Sequence, residues 1–246
     1  PDAACVDTAK PFEVAAAFPV AADGSLEAME VELSQHGRAC RLSVRAAGAA
    51  GTAELSKVLA AGVTPVVSYR SSEEGRGRCA DGEPAHCGAS VAFSGFSVES
   101  LTAQLEAEAK ADGSKAKGGA KGSKAKKQGG ASPAAKDVLA AVDELLWEAK
   151  EPAAKAECPG KLRLGGYGDV EVVPTGWPAG GAPVKVLGSG KLAPYMGGRA
   201  YLADTCRAGV YDREQYLALN LLGKTLRYTT DISGAGCGCN AALYLV

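Results

Sequence analysis

Histidine, methionine and phenylalanine are scarce in this chain: two His, two Met and four Phe among 246 residues. Aromatic residues make up only 6%, so any core must be filled mostly by aliphatic side chains. The two histidines, His36 and His86, lie far in sequence from the tightest cysteine pair, Cys237-Gly238-Cys239. Structural zinc usually needs two close cysteine pairs, or one pair with two histidines, so neither a metal nor another cofactor is expected. Excess charge of one sign is also lacking. Against 28 Asp and Glu stand 27 Lys and Arg, for a net charge of -1. That balance excludes a wholly basic nucleic-acid binder. No apolar run approaches the ~18 residues of a membrane span, the longest candidate, Val14 to Ala22, being broken by Pro19. The chain has no initiator Met and no signal peptide. It opens at Pro1 and stops at Val246 in what reads as the middle of a strand, so it is expected to be a piece of a longer protein, in which the lack of a targeting segment says nothing.

What the chain does have is cysteine. Cys5, Cys40, Cys79, Cys87, Cys158, Cys206, Cys237 and Cys239 are even in number and widely scattered. This pattern suits a disulfide framework in an oxidising, extracellular setting. Composition does not choose among the pairings. Hydrophobic residues reach 46%, enough to bury a core.

Residues 1–99 read as strands. Met29, Val31 and Leu33 alternate with Glu30, Glu32 and Ser34, predicting a half-buried strand with a polar outer face. Phe12 to Phe18, Cys40 to Arg45, Val63 to Arg70 and Ser90 to Val98 are similar short runs, punctuated by Gly and Pro. Such punctuation favours an antiparallel sandwich or barrel. Residues 100–136 are expected to be a helix followed by a flexible linker. Leu101, Leu105 and Ala109 set a helical period, and residues 110–131 then carry seven lysines against the single acid Asp112. Gly, Ala and Ser fill the gaps, leaving too little apolar surface to offset ordering entropy. No aromatic is interleaved there for base stacking, so a solvated tether is expected rather than a nucleic-acid site. Ser132-Pro133 has the form of an N-cap and first helical residue, and Val138, Val142, Leu145 and Leu146 form an apolar stripe that Pro152 ends. From residue 158 strand character returns, most clearly at Arg199 to Asp204, Tyr216 to Leu222, Thr225 to Ile232 and Ala241 to Val246.

Two carboxylate pairs, Glu30/Glu32 and Asp169/Glu171, each fall on one face of a strand because side chains alternate. Spacing alone makes them look like an acid–base dyad, but a solvated outer face is the commoner fate of such residues.

The run from Tyr216 through Leu221-Leu222-Gly223, then Cys237-Gly238-Cys239-Asn240-Ala241-Ala242-Leu243-Tyr244-Leu245-Val246, resembles the cellulases of glycoside hydrolase family 7. In that family a strand ending in Leu-Leu-Gly precedes a Cys-Gly-x-Asn turn and a Gly-Ala-Leu-Tyr-Phe-Val strand. Gly198-Arg199-Ala200-Tyr201-Leu202 is similar to its Ala-Arg-Leu-Tyr-Leu strand. The first hundred residues resemble the opposite, C-terminal end of the same family. Lys10-Pro11-Phe12-Glu13-Val14 is similar to a late strand, Leu55 to Tyr69 to the Met-Val-Leu-Val-Met-Ser strand with its lead-in, Arg76-Gly77-Arg78-Cys79 to the Arg-Gly-x-Cys motif, and Ala89 to Val98 to the closing strand. The end therefore comes before the beginning. The simplest account is a cut across two tandem modules, with 1–99 closing one and 137–246, led by a helix, opening the next. A circular permutation is the alternative.

The resemblance implies a mainly β fold: a curved antiparallel sandwich of the concanavalin-like jelly-roll type, incomplete or permuted. It implies part of a secreted cellulase, a retaining hydrolase of β-1,4-glucan with neighbouring modules in the same polypeptide. The alternative is a non-catalytic glucan-binding or wall-associated module. Retaining glycosidases need two carboxyl groups roughly 5–5.5 Å apart, and the family supplies them from a Glu-x-Asp-x-x-Glu strand that this chain lacks. No catalytic residue is therefore expected, and the chain alone is expected to hydrolyse nothing. Substrate-binding positions carry over one by one: Arg199 to hydroxyls in the cleft, Asn240 and Tyr244 to its glycone side, Arg76 to the leaving-group end. Tyr201 belongs to the same strand motif, and Trp177, in a Gly/Pro loop, is a candidate sugar platform. The family's aromatic loop before Arg-Gly-x-Cys is missing, since Tyr69-Arg70 leads through Ser71-Ser72-Glu73-Glu74 to Arg76. The resemblance also implies a Cys79–Cys237 disulfide if the two halves of the chain close on each other.

Overall fold

A computed structural model describes residues 5–48, 51–71, 87–88, 90–101, 156–176, 184–188 and 190–246. These residues form a mainly β architecture of two antiparallel sheets. The first half contributes β1 (Phe12–Ala17), β2 (Ala28–Ser34), β3 (Leu42–Ala47), the helix α1 (Thr52–Ala61), β4 (Pro65–Ser71) and β5 (Ala92–Ser100). The second half contributes β6 (Lys161–Leu164), β7 (Gly168–Pro174), β8 (Val184–Leu187), β9 (Lys191–Pro194), β10 (Arg199–Ala203), β11 (Lys224–Asp231) and β12 (Cys239–Leu245). A seven-stranded sheet runs β3-β2-β1-β11-β5-β9-β8, and a five-stranded sheet runs β12-β4-β10-β7-β6.

Both sheets mix strands from the two halves. β11 lies between β1 and β5, and β4 lies between β10 and β12. The stretches expected as ends of two modules are thus one folding unit, Pro1–Ala107 with Ala156–Val246. The Cys87–Cys239 disulfide ties them covalently, with Cα atoms 5.7 Å apart. Cys5–Cys40 and Cys158–Cys206 each staple one half. Cys237 is disulfide-bonded as well; Cys79 lies outside the described residues, as do the linker and the helix expected near Ser132.

One core fills the space between the sheets. Phe93, Phe96, Leu192 and Leu226 come from the larger sheet, and Val67, Tyr69, Leu162, Leu164, Val170, Val172, Ala200 and Leu202 from the smaller one. Period-2 alternation selects these side chains: in β7, Val170 and Val172 turn inward while Asp169 and Glu171 turn outward. The Tyr69 hydroxyl, deep in this core, donates to the carbonyls of Gly88 and Gly234 at 3.1 and 3.2 Å. At that point the chain segments are too close for a side chain, because a Cβ on Gly88 would lie 2.4 Å from the Gly234 carbonyl oxygen.

Three expectations need correction. The lead-in to β4 is a helix: Ala-rich Thr52–Ala61 buries Ser56 and Leu59, and strong helix formers outweigh the apolar run there. Tyr216 to Leu222 alternates like a strand, and Leu217, Leu219 and Leu221 are buried. It forms no continuous ladder, however, because its hydrogen bonds are divided between partners: the Leu217 N–H donates to the Leu202 carbonyl of β10, Leu219 exchanges two with Val63, and the Leu221 N–H donates to the Leu59 carbonyl of α1. Met29 and Val31, expected on a buried face, are 38% and 39% exposed. They stand on β2, next to the edge strand β3 of the seven-stranded sheet, away from the strands that line the core.

Candidate functional site

The strands β10 and β12 flank β4 in the five-stranded sheet. Tyr201 and Tyr244 both stand opposite Val66, while Arg199 and Ala242 stand opposite Ser68. Residues directly opposite share a face, so Arg199, Tyr201 and Tyr244 are on one side of the sheet. Their neighbours Ala200, Leu202 and Leu243 turn to the core on the other. Asn240, opposite Arg70, keeps the same parity as Tyr244 and is exposed. Local alternation thus sorts each strand, and β4 brings the two strands together.

Arg199 is the centre of this outer face. Its guanidinium carbon lies 5.2 Å from the Tyr201 ring centroid and 5.5 Å from that of Tyr244, within cation–π range. One Nη donates to the Tyr201 hydroxyl at 2.9 Å. Its Nε is buried without a hydrogen-bond partner. An arginine held in this way keeps a fixed fork of donors.

Sequence reasoning missed Tyr216. Its ring stacks on Tyr201 with centroids 4.6 Å apart and planes at 14°. Burial pushes its phenol above the ordinary range, helped by Tyr201, Tyr211 and Asp212 and opposed by Arg199. The loop that delivers it is braced. Asp212 accepts the Glu214 N–H at 3.0 Å, starting a short 3-10 turn at Arg213–Gln215. The buried Gln215 side chain accepts the Arg207 N–H at 2.6 Å and donates to the Val210 carbonyl at 3.3 Å. Cys158–Cys206 and a 2.7 Å bond from the Cys206 N–H to Glu171 pin the start of the loop. Only the distance in sequence between Tyr216 and its partner hid this contact.

The structure therefore brings Arg199, Tyr201 and Tyr244 together, with Asn240 on the same face. Arg76 and Trp177 lie outside the described residues. The two carboxylate pairs are engaged elsewhere. Glu30 and Glu32 pair with Arg45 and Arg41 at 2.9 and 2.6 Å. Asp169 and Glu171 pair with Arg163 and Lys161 at 3.0 and 3.3 Å. Among the described residues no three His, Cys, Asp or Glu side chains gather to hold a metal.

No protein-family model, no curated protein and no solved structure matches this chain.

Proposed function

We propose that the chain is a secreted, non-catalytic β-1,4-glucan-binding module built on a permuted, concanavalin-like jelly roll of the cellulase type. The observation that carries this reading is the Arg199 guanidinium, placed between Tyr201 and Tyr244 on the outward face of a sheet. Sugars are recognised by such a combination: an aromatic face packs against the apolar side of the ring, while fixed donors meet the hydroxyls. The braced loop under Tyr216 keeps the face in shape before any ligand arrives, which lowers the ordering cost of binding. The closure of both halves into one sandwich supports a self-contained permuted module over a cut between two modules. Disulfides among the described residues fit an oxidising compartment outside the cytoplasm, and no helix among those residues is long and apolar enough to cross a membrane.

The cellulase reading requires a carboxylate pair, and those singled out from the sequence are tied up in ion pairs across their own hairpins. Isothermal titration with soluble cello-oligosaccharides, followed by chromatography of the same mixtures after long incubation, separates the two readings. Saturable binding with intact oligosaccharide is expected. Shortened products would restore the enzyme, and absence of binding would remove both.

A further inference from the structure

Arg199 does not stand alone on the outer face of the five-stranded sheet. On β4, Ser68 stands opposite Arg199 and Ala242, and Arg70, two residues further, stands opposite Asn240. Side chains two apart on a strand share a face, so Arg70 is on the side that carries Arg199, Tyr201 and Tyr244. Arg199 and Arg70 are diagonal neighbours across the strand pair, a separation of roughly 7–8 Å that long side chains can bridge.

Charge around these two residues is unbalanced. Arginines elsewhere meet acids: Arg41 pairs with Glu32, Arg45 with Glu27 and Glu30, Arg207 with Asp212, and Arg227 with Glu13 and Glu99. The acids at outward positions of this sheet are already engaged. Asp169 pairs with Arg163 and Glu171 with Lys161, and Glu171 also accepts the Cys206 N–H. Among the described residues, neither Arg199 nor Arg70 has a carboxylate partner. Arg199 gives one Nη donor to the Tyr201 hydroxyl and has its Nε enclosed, so the donors it can still offer are on its terminal nitrogens. Arg70 is exposed.

We propose that this face selects an acidic β-1,4-glucan, one whose sugars carry a carboxylate at C6, over the neutral polymer, with Arg199 and Arg70 as its anion contacts. The inference rests on the glucan-binding reading above and specifies its ligand. A neutral hydroxyl needs only a donor, which an uncharged amide supplies as well as a guanidinium does. A planar carboxylate is what the arginine fork matches, through two parallel N–H bonds at its terminal nitrogens. The rings of Tyr201 and Tyr244 beside the Arg199 guanidinium pack on the apolar side of the sugar and hold its C6 carboxylate near the fork. An anion there also relieves the repulsion between two neighbouring cations that no acid of the chain offsets.

Isothermal titration of the full, disulfide-intact chain with cellohexaose and with its C6-carboxylated counterpart, a β-1,4-linked glucuronate hexamer, tests this. At low salt the carboxylated ligand is expected to bind about 10-fold tighter, the scale of a hydrogen bond to a charged group. Added salt should narrow that gap while leaving cellohexaose almost unaffected. Arg199→Lys, which keeps the charge and loses the fork, should cut the preference several-fold. Arg70→Gln should cut it about threefold, as an exposed ion pair would, with an unchanged thermal midpoint. Equal or weaker affinity for the carboxylated ligand would overturn the inference and leave the glucan reading in place. So would a preference that survives both substitutions, because the lysine-rich segment would then carry it. Failure of both ligands to bind would remove the glucan reading itself, and this inference with it.

Discussion

Tyr201 and Tyr244 stand opposite the same residue, Val66, from the two strands on either side of β4. The gap between them is filled by Arg199, whose guanidinium contacts both rings. An arginine on a bare strand would sample many rotamers; this one is clamped.

Arg199→Ala should therefore weaken glucan binding by about 10-fold or more, the scale of a lost charged hydrogen bond. Arg199→Lys should fall between, because an ammonium keeps the charge but not the planar fork. Titration calorimetry with cello-oligosaccharides reads the affinity. Equal affinities for all three proteins would remove Arg199 from the site.

Tyr216 acts through Tyr201. Tyr216→Ala should cost about 1 kcal/mol beyond the lost buried area, the size of an aromatic pair, and weaken glucan binding several-fold. Tyr216→Phe should preserve stability and binding, since stacking needs the ring and not the hydroxyl. Paired melting curves and binding isotherms of the two variants check this; a Phe variant as damaged as the Ala variant would show that the hydroxyl matters instead.

Tyr228 gives the fold a pH limit. It packs beside Phe93 and Phe96, with centroids 6.2 and 6.0 Å away, and burial pushes its phenol up to about 12. Between the ordinary tyrosine value near 10 and that figure, the folded state holds a proton that the unfolded state has released. The contribution is complete below pH about 10 and is lost as pH rises toward 12, up to about 3 kcal/mol. Tyr228→Phe should flatten that part of the urea-denaturation profile. An unchanged alkaline slope would place the titration elsewhere.

Cys87–Cys239 ties the start of β12, and so the strand of Tyr244, to the first half of the chain. The double variant Cys87→Ser with Cys239→Ser should lose about 2–5 kcal/mol, read by guanidinium denaturation. Full stability without the bond would mean that the two halves hold together through packing alone.

Much of the sandwich was legible because its strands are short apolar or β-branched runs between Gly and Pro, as at Phe12–Ala17, Pro65–Ser71 and the Thr-rich Lys224–Asp231. Helix α1 was not, because Leu55, Val58 and Leu59 suit a strand lead-in as well as a helix face. Alternation at Met29, Val31 and Leu33 correctly announced a strand, but period-2 patterning does not say whether another sheet covers its apolar side. The segment from Tyr216 to Leu222 alternates for a different reason, since its partners are split between the end of β10 and the end of α1 with Val63 beyond it. Arg199 and Tyr201 could be put on one face from their spacing alone. Tyr244 joins them only through β4, and Tyr216 only through a folded loop; both contacts depend on pairings remote in sequence. Whether the two halves would close on each other was a matter of strand order, which local pattern does not encode.

The most direct test of the account is an NMR titration of the tyrosine-labelled chain with cellohexaose. The ring signals of Tyr201 and Tyr244 should shift together and saturate at one affinity, while those of the core residues Tyr69 and Tyr228 stay still. Saturable shifts confined to other tyrosines, or none at all, would contradict a glucan-binding face centred on Arg199.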